Sequence, residues 1–269
     1  MRFARKKMSL VKIAELTSEQ IASICDHTFL ATEDAFAAEA KEKGVSSVGT
    51  REETFYRFLD ETARNPLKPY AVCVRPNDVR FAIARLPGDI KVASVVGFPN
   101  GNAYFTRHKI AEAREALSQG AQEIDMVMRY DSLIAGDLDS VRADIWEVLG
   151  VTRGRRVPLK VILETSELEL DDIKIAAQMA EEMGVDFIKT STGYSSAGAN
   201  VVDVQIMREN FTRGIKISGK VDVGNVRDLL YAASGSRDEY IELDPKFVRI
   251  GESSLLGQLA SGNAAPGIY

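Results

Sequence analysis

Histidine, cysteine and the serine-hydrolase signature are scarce or missing in this chain of 269 residues, and each shortage excludes a class of chemistry. The two histidines, His27 and His108, belong to no H-x-x-H or C-x-x-C cluster, so a zinc site built on several imidazole ligands is excluded. The two cysteines, Cys25 and Cys73, lie in apolar runs and do not indicate a disulfide framework. No G-x-S-x-G elbow supports a Ser-His-Asp hydrolase. Carbonyl chemistry in this chain would therefore need lysine rather than a metal.

Excess positive charge and long apolar runs are missing as well. The formal net charge is −5 and the isoelectric point is about 5.3, which gives no general attraction to a nucleic-acid backbone. No run approaches the roughly 18 apolar residues of a membrane span, and the basic first ten residues lead into no apolar signal-peptide core. We expect a cytoplasmic protein with neither a nucleic-acid nor a membrane partner.

Short apolar runs alternate with helical stretches along most of the chain. The eight strand-like runs cover 25–29, 70–74, 90–98, 123–128, 159–164, 185–190, 214–218 and 247–251. Helical stretches between them include 106–118, 137–149, 169–183, 201–210, 224–233 and one that runs to residue 64 after a capping box over 50–53. The strand-like runs are typical of strands covered on both faces, so the chain predicts one α/β domain over residues 1–269, a single (β/α)8 TIM barrel. A doubly wound open sheet is the alternative, but the Gly-rich turn after its first strand is missing.

Three segments fall outside this repeat. Residues 1–23 are predicted to carry an N-terminal capping helix, amphipathic over 11–24 and capped at Thr17. Residues 31–49 look inserted after the first strand, where they would form a lid, an oligomer contact or a passive insertion. Residues 259–269 predict a flexible C-terminal tail.

Charged residues lie within three predicted strands: Asp125, Lys189 and Lys216 each stand between bulky flanking residues, in Ile124-Asp125-Met126, Ile188-Lys189-Thr190 and Ile215-Lys216-Ile217. Because side chains alternate along a strand, the flanking residues would face the helix layer and the charged residues would point into the barrel. A structural ion network, or a strand-end lysine that reaches water, stays open as an interpretation. However, two lysines beside one carboxylate leave a net positive charge, which is costly as pure structure. The same arrangement lowers a lysine pKa and supplies the neutral amine that attacks a carbonyl.

Eight motifs follow one another between about residues 21 and 258. They are Asp26-His27-Thr28-Phe29-Leu30, Ala71-Val72-Cys73-Val74, Val95-Val96-Gly97-Phe98-Pro99-Asn100-Gly101, Glu123-Ile124-Asp125-Met126-Val127, Lys160-Val161-Ile162-Leu163-Glu164-Thr165, the run from Asp186 to Gly193, Lys216-Ile217-Ser218-Gly219 and Arg249-Ile250-Gly251-Glu252-Ser253-Ser254. In this order they resemble the deoxyribose-phosphate aldolases, a DeoC-type family of class I aldolases, over nearly the whole chain.

The resemblance implies reversible cleavage of 2-deoxy-D-ribose 5-phosphate to D-glyceraldehyde 3-phosphate and acetaldehyde, with no cofactor and no metal. It implies that Lys189 forms the Schiff base, that Lys216 lowers the pKa of Lys189, and that Asp125 relays protons with a water. Asp26 would help to hold this polar network. In some members of the family a terminal tyrosine, here Tyr269, reaches the active site to assist proton transfer.

The family's phosphate anchor consists of backbone amides and hydroxyls after strands six to eight, which correspond here to Gly193, Gly219, Ser253 and Ser254. Two residues depart from the family pattern. Lys220 stands where glycine is usual, either as an additional phosphate clamp or as a side chain facing solvent. Glu252 stands where a small residue is usual, and its carboxylate would repel a phosphate unless it turned away or paired with Lys220.

These departures keep two alternatives open. One is a related class I aldolase with an altered acceptor or phosphate preference. The other is a non-catalytic barrel that binds a phosphometabolite or a protein partner, which the presence of all three charged strand residues disfavours. The expected partners are a small phosphosugar and an aldehyde, and a homo-oligomer, dimer or tetramer, is a further hypothesis.

Overall fold

Eight parallel strands close into a barrel in the computed structural model, which describes residues 10–42 and 50–261. The strands of this part of the chain, numbered in order, are β1 (Leu10–Lys12), β2 (Cys25–Thr28), β3 (Ala71–Val74), β4 (Lys91–Val96), β5 (Glu123–Val127), β6 (Leu159–Ile162), β7 (Phe187–Lys189), β8 (Gly214–Ser218), β9 (Tyr240–Glu242) and β10 (Val248–Glu252). Strands β2 to β8 pair in chain order, and β10 closes the ring between β8 and β2. The predicted (β/α)8 barrel is confirmed.

The helices surround this barrel. Within the described residues they are α1 (Ser18–Ala22), α2 (Glu33–Glu42), α3 (Arg51–Arg64), α4 (Val79–Arg85), α5 (Thr106–Ser118), α6 (Tyr130–Ile134), α7 (Leu138–Arg155), α8 (Leu170–Met183), α9 (Val201–Asn210), α10 (Val226–Ser234) and α11 (Leu255–Ser261). The predicted capping box before α3 is confirmed, because the Thr50 side chain accepts the Glu53 amide and the Glu53 side chain accepts the Thr50 amide. No helix of residues 10–42 or 50–261 is long and apolar enough to cross a membrane.

The N-terminal capping helix is shorter than predicted. Helix α1 begins after a capping box between Thr17 and Gln20, so the cap is confirmed, but the predicted helix is wrong before it. Strand β1 and a 3-10 turn over Ile13–Glu15 occupy that place, and β1 pairs antiparallel with β9, where Val11 lies opposite Ile241. The backbone of β1 thus forms its hydrogen bonds with a distant segment. The local helical periodicity of the sequence does not predict such pairing.

The barrel strands are buried on both faces because helices cover the outside while the side chains of the other strands fill the inside. All residues of β3, β5, β6, β7 and β8 are buried. Helix α2 occupies 33–42 of the predicted insertion, whereas 43–49 lie outside the described residues. Helix α11 includes 259–261 of the predicted tail, and 262–269, with Tyr269, also lie outside them.

Candidate active site

Seven charged side chains meet inside the barrel, and we call them the ion cluster. They come from six strands and none is more than 5% exposed: Asp26 of β2, Glu123 and Asp125 of β5, Lys160 of β6, Lys189 of β7, Lys216 of β8 and Arg249 of β10. The pairing register brings them to similar heights, since Asp125 lies beside Lys160 and Lys189 lies beside Lys216 on neighbouring strands.

Asp125 is shared among three lysines. Its Oδ1 accepts from Lys160 Nζ at 2.8 Å, whereas its Oδ2 accepts from Lys216 Nζ at 2.7 Å and from Lys189 Nζ at 3.4 Å. The predicted meeting of Asp125, Lys189 and Lys216 at one axial region is therefore seen directly in the geometry.

The remaining members of the cluster have partners of their own. Lys216 Nζ also donates to Asp26 Oδ2 at 2.5 Å, and Arg249 Nε donates to Asp26 Oδ1 at 2.9 Å. Arg249 further donates to Glu123 Oε2 at 3.0 Å, and Lys160 Nζ lies 2.5 Å from the same oxygen. Every carboxylate of the cluster is thus held by at least two cations.

The ion cluster contains one more cationic side chain than carboxylates. Its four cationic side chains face three carboxylates, so the cluster is neutral when one cation loses its proton. Lys189 is the candidate, because its one ion-pair contact among the described residues is the 3.4 Å approach to an oxygen that Lys216 already holds. Burial, followed by the charge of Lys216, lowers the pKa of Lys189. The arrangement favours a neutral amine at Lys189.

The pKa shifts of three other members of the cluster favour their charged forms. Burial disfavours the charged form of Lys216, yet the carboxylates of Asp125 and Asp26 raise its pKa. Burial likewise opposes ionisation of Asp26, but Arg249, Lys216 and Lys160 lower its pKa to about 2. Lys160 and Lys216 also hold the pKa of Asp125 well below its ordinary value despite its burial. Lys189, whose pKa is lowered, therefore lies beside a carboxylate, Asp125, and an ammonium, Lys216, whose pKa shifts both favour the charged form.

A cavity of about 330 Å³ opens above the ion cluster, at the carboxyl ends of the strands. Thr28, Ser218 and Gly251 line it, and each stands two residues beyond a charged member of the cluster, on the same face of its strand. Gly251 is required there, because a Cβ atom would lie 2.6 Å from Lys216 Cε. The cavity has the place that active sites take in TIM barrels.

Comparison with known proteins agrees with this geometry. Residues 21–243 match the family described as "DeoC/LacD family aldolase". The chain belongs to this family. It is 36% identical to a deoxyribose-phosphate aldolase of Bacillus cereus (strain AH187) over 220 residues, which cover 81% of this chain and 90% of that one. It is 44% identical to a deoxyribose-phosphate aldolase of Thermococcus gammatolerans over 157 residues, 56% of this chain and 69% of the relative.

A solved structure of similar fold is a putative deoxyribose-phosphate aldolase from Toxoplasma gondii, with a TM-score of 0.73 and 26% identity over 91% of this aldolase and 93% of that chain. Another, from Coccidioides immitis, has a TM-score of 0.67 and 29% identity over 95% and 92% of the two chains. These comparisons place the aldolase among carbon–carbon lyases.

All the residues predicted to bind phosphate line the cavity of this aldolase: Gly193, Gly219, Lys220, Ser253 and Ser254. The two residues that depart from the family pattern, Lys220 and Glu252, make contacts that the sequence did not reveal. Lys220 keeps a left-handed backbone with φ of 56°, and its Nζ donates to the Ser196 carbonyl. The Glu252 carboxylate accepts the backbone amides of Val221 and Ser253. Within the described residues, no hydrogen bond joins Lys220 to Glu252.

Sequence reasoning missed three members of the ion cluster: Glu123, Lys160 and Arg249. The signal was present, since Lys160 and Arg249 each stand between two bulky apolar residues of a predicted strand, as Asp125 does. The prediction of two lysines beside one carboxylate is therefore incomplete. The larger cluster is nearly balanced in charge, with four cationic side chains beside three carboxylates.

Glu164 is a further buried acid near the site of the aldolase. It follows β6 with a left-handed φ of 60°, and its carboxylate accepts the Thr192 amide at 3.2 Å. Burial raises its pKa, while the Thr192 hydrogen bonds oppose this change. Its position joins the end of β6 to the loop that follows Lys189.

Proposed function

We propose that this aldolase cleaves 2-deoxy-D-ribose 5-phosphate reversibly to D-glyceraldehyde 3-phosphate and acetaldehyde, through a Schiff base on Lys189. The observation that carries the proposal is the excess of one cation in the ion cluster, which leaves the amine of Lys189 neutral. The names of the Bacillus and Thermococcus relatives support the choice of substrate.

The steps follow from the chemistry of the imine. Neutral Lys189 attacks the C1 aldehyde, and the resulting carbinolamine loses water to give a protonated imine. Removal of the C3 hydroxyl proton breaks the C2–C3 bond, and its electron pair passes into the imine to give an enamine, while C3 leaves as the aldehyde of glyceraldehyde 3-phosphate. Protonation of the enamine at C2 and hydrolysis release acetaldehyde and restore Lys189. The imine is the electron sink, so these steps require no cofactor.

The neighbours of Lys189 supply the proton transfers. Asp125, ionised and in contact with the amine, would accept and return protons through a water. Lys216 would keep Lys189 neutral, and Asp26 would hold Lys216 in place. Neither Asp125 nor Asp26 needs to form a bond with the substrate.

Borohydride trapping tests the imine. Incubation with acetaldehyde or the sugar phosphate, reduction with borohydride and mass mapping should place one adduct on Lys189. Lys109 is a matched internal control, because it is equally buried but has a carboxylate of its own at 2.6 Å. Folded protein without an adduct on Lys189 would contradict the proposal and favour the non-catalytic barrel.

A second candidate, a class I aldolase with an altered phosphate preference, is favoured by one observation, the Glu252 carboxylate on two amides of the cavity. A role for Tyr269 in proton transfer, a lid or oligomer contact in residues 31–49, a homo-oligomeric state and a cytoplasmic location all stay predictions.

A further inference from the structure

The phosphate end of the cavity already holds an anion that belongs to the chain. Glu252 Oε2 accepts the Val221 amide at 3.2 Å, and Glu252 Oε1 accepts the Ser253 amide at 2.8 Å and the Ser253 hydroxyl at 3.2 Å. The two amides come from the loops after β8 and β10. Both residues line the cavity, so one carboxylate bridges the two loops at its wall.

Backbone amides that converge at this corner of a TIM barrel are the donors that a phosphate oxygen usually takes. Beside the cavity, the Val223 amide is also engaged, since it donates at 3.2 Å to Oε1 of Gln258, a residue that lines the cavity, while Gln258 Nε2 donates to Ser254 Oγ at 3.1 Å. A substrate phosphate would have to displace side chains of the protein to reach these amides.

The charge of the wall does not compensate for this arrangement. Its charged lining residues within the described chain are Lys220, Asp222 and Glu252, which sum to −1. Lys220 donates to the Ser196 carbonyl, and Asp222 accepts the amides of its own turn. A phosphate dianion would meet the Glu252 carboxylate at close range, and like charges there repel.

We propose that Glu252 determines specificity: it occupies the anion corner, weakens recognition of the 5-phosphate and admits 2-deoxyaldoses that carry a free C5 hydroxyl. The proposal rests on the proposed function, because it uses the same imine chemistry. A neutral hydroxyl can donate a hydrogen bond to the Glu252 carboxylate, whereas a phosphate only accepts from donors and carries the same sign of charge.

The experiment compares kcat/KM for 2-deoxyribose 5-phosphate with kcat/KM for 2-deoxyribose in the full-length protein. Glu252→Ala should raise the first and lower the second, so that their ratio increases by about tenfold or more. Glu252→Gln removes the charge but keeps the length and one acceptor oxygen, so its ratio should lie between those of the wild type and Glu252→Ala. Inorganic phosphate should also inhibit turnover of 2-deoxyribose more strongly in Glu252→Ala.

Asp222→Asn is the matched control. It removes the same charge from the same wall, but the retained carbonyl oxygen can still accept the Gly224 amide that Asp222 accepts at 2.8 Å. The ratio should stay near that of the wild type. An equal rise in Asp222→Asn would assign the effect to net charge and overturn the specific role of Glu252.

The two proposals fail in different ways. If the wild type forms the Lys189 adduct and strongly prefers the phosphate, and both Glu252 variants keep that preference, Glu252 has no such role. If the wild type and both variants form no adduct and turn over neither sugar, the aldolase reaction itself is refuted. Should Glu252→Ala not fold, the ratio of kcat/KM values and the inhibition by inorganic phosphate, both measured in Glu252→Gln against the wild type, still decide.

Discussion

Two buried lysines of this protein invite comparison, because both lie within reach of an aspartate and both have a pKa lowered by burial. Lys109 of α5 donates to Asp144 Oδ2 at 2.6 Å and to the Val127 carbonyl at 2.9 Å. The other oxygen of Asp144 accepts from the Thr106 hydroxyl at 2.8 Å. Within residues 10–42 and 50–261, the one ion-pair contact of Lys189 is the 3.4 Å approach to an oxygen of Asp125 that Lys216 holds more closely.

The difference lies in the number of charges, not in burial. Lys109 and Asp144 form a closed pair of one cation and one anion, in which each partner stabilises the charge of the other. Lys189 is the fourth cation beside three carboxylates, and we expect it to be the member of the cluster that loses its proton. Burial becomes chemically useful only where a lysine exceeds the carboxylates available to it.

The sharpest way to break this comparison is to replace each lysine by methionine. Lys189→Met should lower kcat/KM by about 10⁴-fold or more, because no other residue supplies the imine, yet change the free energy of unfolding by less than about 1 kcal/mol. Lys109→Met should leave Asp144 charged and unpaired, and therefore destabilise the fold by about 3 to 5 kcal/mol.

Steady-state kinetics and denaturant unfolding on both variants check these expectations. Folded Lys109→Met protein should keep wild-type kcat/KM at a temperature where it is fully native. If Lys189→Met were the more destabilised variant, the two lysines would have the same structural role.

Lys216→Met sharpens the comparison by changing the balance. The cluster then has three cations for three carboxylates, so Lys189 keeps its proton and its pKa rises. Because only neutral Lys189 attacks a carbonyl, the acid limb of the pH profile of kcat/KM should move to higher pH, with a loss of about 100-fold at neutral pH. A loss of activity without any movement of that limb would mean that Lys216 acts otherwise.

The smallest effect concerns acid stability. Asp26 has a folded pKa of about 2, below the ordinary value of about 4, so its ionic contacts contribute stability that is complete above pH 4 and is lost as the pH falls through 2. This contribution is about 2 kcal/mol. The difference in unfolding free energy between the wild type and Asp26→Asn should therefore shrink by that amount between pH 5 and pH 2. A constant difference across this range would contradict the low pKa.

The barrel could be predicted from the sequence because each strand is a short apolar run, and covering helices favour such runs at every position. A second rule, the alternation of side chains along a strand, directed Asp125, Lys189 and Lys216 inward. The alternation rule applies equally to Lys160 and Arg249. Imine chemistry requires only one acid and two lysines, so it gave these two residues no role. The total charge of a buried cluster depends on all its members, and no single strand contains that information.

Other features depend on contacts between distant segments. Strand β1 owes its conformation to β9, some 230 residues later, and its own three residues give no strong signal. The direction of the Glu252 side chain depends on where the loop after β8 places the Val221 amide. Lys220 takes a conformation more usual for glycine, and local sequence does not predict where its ammonium finds the Ser196 carbonyl.

Closure of the barrel between β10 and β2 has a consequence for biosynthesis. Asp26 is joined to Lys216 across 190 residues and to Arg249 across 223, so a ribosome completes Arg249 roughly 10 to 45 s after Asp26. Until then the nascent chain has no ion cluster, and Lys189 remains an ordinary protonated lysine in water. On the proposed mechanism, the amine of Lys189 would therefore become reactive only in a finished barrel.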